Sequence, residues 1–311
     1  MVALSPRTAA TKTRCESLPA RDGVVLAVEK HGDAHAPALV FAHGFGQTRR
    51  AWALSAAALA TEGWHCITAD ARGHGESGWR ADGDYEFAQF VGDLLDVARS
   101  AVPAQLDVAR DAAATKPILI GASMGGLLGL IAQSEQDVFG ALVLVDITPR
   151  WELAGIERIL TFMRAHPEGF ASVDEAAAAI ARYLPHRAER YRNEQAASER
   201  LRKMLVPRDD GRLRWHWDPR LLERIAADGQ NQQQHLIEAA RRIRVPTLLI
   251  SGEHSDIVSA STIEEFQHCV PHARHVRVAR ATHMIIGDRN DAFTDAVRDF
   301  IQPLRRGAAA H

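Results

Sequence analysis

Cysteine is scarce in this chain. Cys15, Cys66 and Cys269 are the only three, they stand far apart, and none belongs to a Cys-x-x-Cys pair. That excludes a disulfide scaffold and suits a reducing cytoplasm, with Cys66 expected as a small apolar residue inside a strand. Long apolar runs are lacking too: no window approaches the ~20 residues of a membrane span. The first residues, Met1 to Lys12, have no apolar stretch of the kind a signal peptide requires. A cytoplasmic protein without a membrane partner is expected. Nor does one sign of charge dominate, since 37 Lys and Arg face 39 Asp and Glu for a net charge of −2. This leaves no electrostatic case for nucleic acid. Basic residues gather locally at Arg241-Arg242-Ile243-Arg244 and between Arg187 and Arg202, where acids alternate with them as on a solvated helix face. Fifteen histidines invite a metal, yet no His-Glu-x-x-His and no Cys/His zinc spacing occurs. His254, Asp256 and His283 could in principle bind a cation, but an upstream serine makes a triad the better account. Neither metal nor cofactor is expected.

That serine lies in Ile118-Leu-Ile-Gly121-Ala-Ser123-Met-Gly125-Gly. An apolar strand-like run enters a Gly-x-Ser-x-Gly turn, and a helix-like run from Leu127 to Ala132 leaves it, which is the context a nucleophile elbow needs. The glycines two residues before and after Ser123 let strand and helix approach without a Cβ clash. The hydroxyl then stands at a helix N-terminus, where the dipole and free N–H groups favour an anion.

A serine hydroxyl is inert at neutral pH without a histidine base and an acid to fix its tautomer. Downstream, Val245-Pro-Thr-Leu-Leu-Ile-Ser-Gly-Glu-His-Ser-Asp256 reads as a buried strand, a turn and a carboxylate. His275-Val-Arg-Val-Ala-Arg-Ala-Thr-His283 reads as a short strand followed by a histidine. Both candidates fall at carboxyl ends of strands, the edge where open α/β sheets hold ligands. Asp146, after Val143-Leu-Val, is the competing acid. Asp256 is preferred because its loop leads directly towards the last strand and His283; Glu253 and His254 are read as loop residues.

With His43-Gly44-Phe45-Gly46 after Leu39-Val-Phe-Ala, and Asp70-Ala-Arg72-Gly73-His74-Gly75-Glu76-Ser77 after Cys66-Ile-Thr-Ala, six motifs follow in order. Over roughly residues 20–303 the chain resembles α/β-hydrolase-fold enzymes of the esterase, C–C hydrolase and cofactor-free haloperoxidase group. The resemblance implies that the backbone N–H groups of Phe45 and Met124 form an oxyanion hole. The Arg72-Gly73-His74-Gly75 turn is expected to be structural, tied down by Asp70, with His74 an internal hydrogen-bonder.

Short apolar runs alternate with amphipathic segments, the α/β signature. Strands are expected at 24–30, 38–42, 65–69, 117–121, 141–146, 246–251 and 274–279, with one more near the start and an opening hairpin at Asp22-Gly23. Helices are expected at 51–61, 86–101, 124–135, 260–268 and 291–302. The fold class is α/β: a mostly parallel sheet with flanking helices and a helical cap inserted after the sixth strand. Residues 1–14 form a loose extension, 15–147 and 236–305 the catalytic core, and 148–235 the cap. The cap stretch shows no convincing strand and holds Trp151, Phe162, Phe170, Tyr183, Tyr191, Trp215 and Trp217. Together these imply a mainly apolar pocket wall without a cationic clamp. The expected activity is a serine hydrolase acting on a small-molecule ester or lactone, neutral and mainly apolar, through Ser123, His283 and Asp256. A C–C hydrolase of aromatic degradation or a perhydrolase would use the same residues, and a non-catalytic ligand-binding member of the fold remains a rival.

Overall fold

The computed structural model describes residues 13–102, 116–185 and 195–307. Eight strands form one sheet: β1 (Thr13–Pro19), β2 (Val25–His31), β3 (Ala38–Ala42), β4 (His65–Ala69), β5 (Ile118–Ala122), β6 (Ala141–Val145), β9 (Thr247–Gly252) and β10 (Arg274–Val278). Their spatial order is β1-β2-β4-β3-β5-β6-β9-β10. β2 pairs antiparallel with β1 and β4, while every pairing from β4 to β10 is parallel. The β1–β2 hairpin turns at Asp22-Gly23, where Gly23 takes φ +84. β1 already begins at Thr13, so Thr13 and Arg14 are sheet residues rather than part of a loose extension. Residues 1–12 and 308–311 lie outside the described residues.

Parallel strands are covered on both faces, which is why they read as unbroken apolar runs. Side chains still alternate between two cores. Val40, Leu142 and Leu144 pack in one with α2 (Phe87–Ser100) and α3 (Met124–Gln136). Leu39, Phe41, Val143 and Val145 pack in the other with Trp52, α1 (Ala53–Thr61) and the apolar stripe Phe293, Val297, Phe300 and Ile301 of α9 (Asn290–Gly307). Cys66 is fully buried in the second core, and burial pushes its thiol far above the usual range.

Between β6 and β9 the chain leaves the sheet. It forms α4 (Leu153–Arg164), α5 (Val173–Tyr183), α6 (Gln195–Arg202), a hairpin of β7 (Leu205–Pro207) and β8 (Leu213–Trp215), and α7 (Leu221–Arg242). The hairpin is an element the sequence reading lacks. Its strands are three residues each, too short for a periodic signal, and Phe170 adds a bridge to Leu213. After β9, α8 (Ala260–Cys269) leads to β10. Among the described residues no helix is long and apolar enough to cross a membrane.

Candidate active site

The sharp turn at Ser123 is where β5 becomes α3. Its backbone sits at φ +47 and ψ −118, a region that side chains avoid, and it is held there by its N–H on Val145 O (3.0 Å) and its O on the Gly126 N–H (2.9 Å). Gly125 permits the turn. A Cβ there would collide with the Ala42 carbonyl, just as one on Gly121 would strike the backbone of Gly125. Gly44 brings the loop after β3 against the elbow, since a Cβ on it would stand 3.2 Å from Ser123 Cβ.

His283 follows β10, and its Nδ1 lies 2.8 Å from Asp146 Oδ2. Asp146 is fully buried and directly follows β6 with a left-handed backbone of φ +50. Its carboxylate also accepts the Gly252 N–H on Oδ1 (2.7 Å) and the Ser255 hydroxyl on Oδ2 (2.5 Å). The expectation that Asp256 serves His283 is therefore corrected. Asp256 turns outward to Arg158 of α4, in an ion pair of 3.2 Å whose partners are 30% and 54% exposed. The reason lies in sheet order. β6 and β9 are direct parallel neighbours, with Val145 opposite Ile250, and the first residue past β6 comes to lie under the loop after β9. Asp146 takes the interior of that loop, and Asp256 is left at its outer side. With Nδ1 bound to Asp146, Nε2 is the ring nitrogen left for chemistry.

The loop carrying Phe45 is fastened from both sides. Gly44 N–H donates to Gln47 Oε1 (3.1 Å) and Gly46 N–H to His74 Nε2 (3.2 Å). The Phe45 N–H between them has no partner among the described residues. Met124 is the first residue of α3, and its N–H has no intrahelical acceptor. His74 is the internal hydrogen-bonder expected, with Nδ1 on Arg72 O (3.0 Å). Asp70, as expected, ties the turn by accepting the Glu76 N–H (2.9 Å) and the side chain of Arg49.

Two more histidines complete this support. His43 Nε2 accepts the Ala71 N–H (2.9 Å), and His216, from the inserted segment, accepts the Gly75 N–H on Nδ1 (3.0 Å). The His216 role escaped the sequence reading, because one histidine between Trp215 and Trp217 carries no signal of a partner 141 residues away. A nitrogen that accepts an N–H must be unprotonated. Burial holds these rings neutral: His43 is pushed below the usual histidine value, His74 well below it, and His216 down to about 4. Groups depressed in the folded state stabilise fully above about pH 6.5 and lose that contribution as pH falls towards 4, because the unfolded chain binds protons first. By pH 5 the loss from His216 alone is roughly 2 kcal/mol. The melting temperature is therefore expected to fall steeply between pH 7 and 5. His216→Gln should flatten that slope, and an unchanged slope would remove His216 from the account.

Ser123, His283, Phe45 and Met124 all line one cavity of about 510 Å³. Its far wall comes from the inserted segment, with Trp151, Phe162, Tyr183, Trp215 and Trp217 contributing. Phe170 is instead buried inside the segment, edge-on to Trp215 at 4.9 Å, and Tyr191 lies outside the described residues. Gln47, Glu157 and Gln232 are among the few polar side chains on the wall, and no lysine or arginine is among the described lining residues. Among the described residues no group of three or more His, Cys, Asp or Glu is placed to hold a metal ion.

A strained serine between a parallel strand and a helix, lining the same cavity as a histidine bonded to an aspartate, is the arrangement of an α/β hydrolase. The family profile of the alpha/beta hydrolase fold matches residues 37–289, and the chain belongs to that family. It is a hydrolase, as its relatives are. An sn-1-specific diacylglycerol lipase of Mus musculus is 29% identical over 285 residues, covering 87% of this chain and 82% of the lipase. An esterase of Mycobacterium tuberculosis is 27% identical over 289 residues, covering 89% of this chain and 86% of the esterase. The crystal structure of an E-2-(acetamidomethylene)succinate hydrolase superposes with a TM-score of 0.75 at 23% identity, covering 93% of this chain and 99% of that one. At that identity it speaks for the fold alone.

Proposed function

We propose that the protein hydrolyses neutral, mainly apolar carboxylic esters or lactones through an acyl-enzyme on Ser123. The observation that carries this reading is the placing of Ser123 and His283 on the wall of one apolar cavity, with Asp146 bonded behind the histidine. Ser123 Oγ attacks the carbonyl carbon while His283 Nε2 takes the hydroxyl proton. Asp146 holds Nδ1–H, fixes the tautomer and stabilises the imidazolium. The Phe45 and Met124 N–H groups receive the oxyanion, each such donor being worth ~3–4 kcal/mol where measured. His283 returns its proton to the leaving oxygen, and then activates the water that releases the acid. The inserted segment, residues 148–235, serves as the cap that excludes bulk water.

An apolar wall rejects an extra methylene weakly, at ~1–3 kcal/mol, but burying an unpaired charge costs far more. Arg158 is engaged with Asp256, Arg164 and Arg182 are exposed, and none of them lines the cavity. Neutral nitrophenyl esters and lactones of short to medium length are therefore expected to turn over with kcat/KM at least about 100-fold above dicarboxylate half-esters and phosphorylated esters. The reverse ranking would overturn the substrate assignment. Turnover of a ring-fission diketone without any ester would move the chemistry to C–C hydrolysis on the same residues.

A further inference from the structure

The hydroxyl of Ser255 has its proton committed. Oγ accepts the N–H groups of Ile257 (3.2 Å) and Val258 (3.0 Å), so both lone pairs are engaged and the single O–H points to Asp146 Oδ2 at 2.5 Å. The Asp146 carboxylate is thereby held by three donors, Gly252 N–H on Oδ1 and the Ser255 hydroxyl with His283 Nδ1–H on Oδ2. The loop is itself clamped. Gly252 ends β9, while the Glu152 N–H donates to Ile257 O (2.9 Å) and Arg158 pairs with Asp256, both from the inserted segment.

We propose that Ser255 is the positioning residue of this active site, aiming the Asp146 carboxylate at His283 and sharing its negative charge. This rests on the reading of Asp146 as the acid. If Asp146→Asn kept full turnover, that reading would fail by itself, whatever Ser255 does. Sharing Oδ2 with a second donor weakens its hold on the imidazolium. Removing the hydroxyl therefore leaves a carboxylate that is less well aimed but binds the histidine proton more strongly. The other charged groups around the cluster are Glu253 and His254 on the same loop, Asp256 with Arg158, and Arg277 and Arg280, which bond to Glu253. All of them remain in the variants.

The test is the pH dependence of kcat/KM for a nitrophenyl ester with wild type, Ser255→Ala, Ser255→Cys and Ser255→Thr. Loss of a hydrogen bond to a charged group predicts a kcat about tenfold lower for Ser255→Ala, with KM within about twofold. Its acidic limb should move up by about half a pH unit, and Ser255→Thr should bring both back towards wild type. A role confined to holding the loop would lower stability and activity without moving the limb. An acidic limb at or below the wild-type position in Ser255→Ala therefore overturns the proposal. Ser255→Cys keeps the size but has only a weak donor, and it decides the matter by the same criterion if the alanine variant does not fold.

Discussion

Ser123→Ala is expected to reduce kcat by about a million-fold, the scale seen when a nucleophile is removed from a serine hydrolase. It should also abolish labelling by a fluorophosphonate, which in the wild type is expected at Ser123 alone. The argument is steric as much as chemical. The elbow backbone is imposed by Gly121, Gly125 and the backbone bonds of Ser123 to Val145 O and Gly126 N–H, so alanine inherits the same conformation and the fold should survive. A melting temperature within a few degrees of wild type makes the loss chemical. The residual rate should still exceed that in water, because the cavity and the Phe45 and Met124 N–H groups remain. Labelling of the wild type at another serine, or an active Ser123→Ala, would remove Ser123 from the mechanism. Exhaustive chelation is expected to leave wild-type turnover unchanged, since no step of the proposed chemistry calls on a metal ion.

Much of this architecture was legible in the residues, for identifiable reasons. A buried strand writes itself as an apolar run bounded by glycine or a polar loop, so β2 to β6, β9 and β10 are legible to within a residue or two, whereas the exposed edge strand β1 is expected only as one more near the start. The last helix carries a clear amphipathic stripe, although α9 runs on to Gly307, beyond the expected end at 302. The elbow was legible because a conformation that needs glycine at two fixed offsets leaves a spelled motif. The β7–β8 hairpin was not, because each strand is a single short stretch and its pairing with Phe170 is tertiary. The choice of acid failed for a different reason. Sequence order presents Asp256 in a loop that leads directly towards the last strand and His283, whereas the sheet makes neighbours of β6 and β9. Asp146 can reach His283 only because its residue leaves the strand at φ +50, and nothing in Val143-Leu-Val-Asp-Ile announces that turn. Ser255 carries no signal of its role for the same reason, since its partner lies 109 residues earlier.

Asp146→Asn is expected to lower kcat by about ten-thousand-fold, while Asp256→Asn stays within about fivefold of wild type. At position 146 an amide presents an N–H₂ where the carboxylate accepted, and three donors converge there: Gly252 N–H, the Ser255 hydroxyl and His283 Nδ1–H. At least one of them must lose its acceptor. If His283 adapts by moving its proton to Nε2, the nitrogen facing the serine can no longer take one, and the base is lost. The substrate complex should be affected far less, so the fall is expected in kcat rather than in KM. Asp256 loses an ion pair with the exposed Arg158, worth under ~1 kcal/mol. That loss should appear as a small drop in melting temperature shared with Arg158→Gln, and the double variant should be no worse than either single one. Measured side by side, the two asparagine variants separate the acid that touches the histidine from the one that tethers the inserted segment. The opposite ranking would return the catalytic role to the loop after β9.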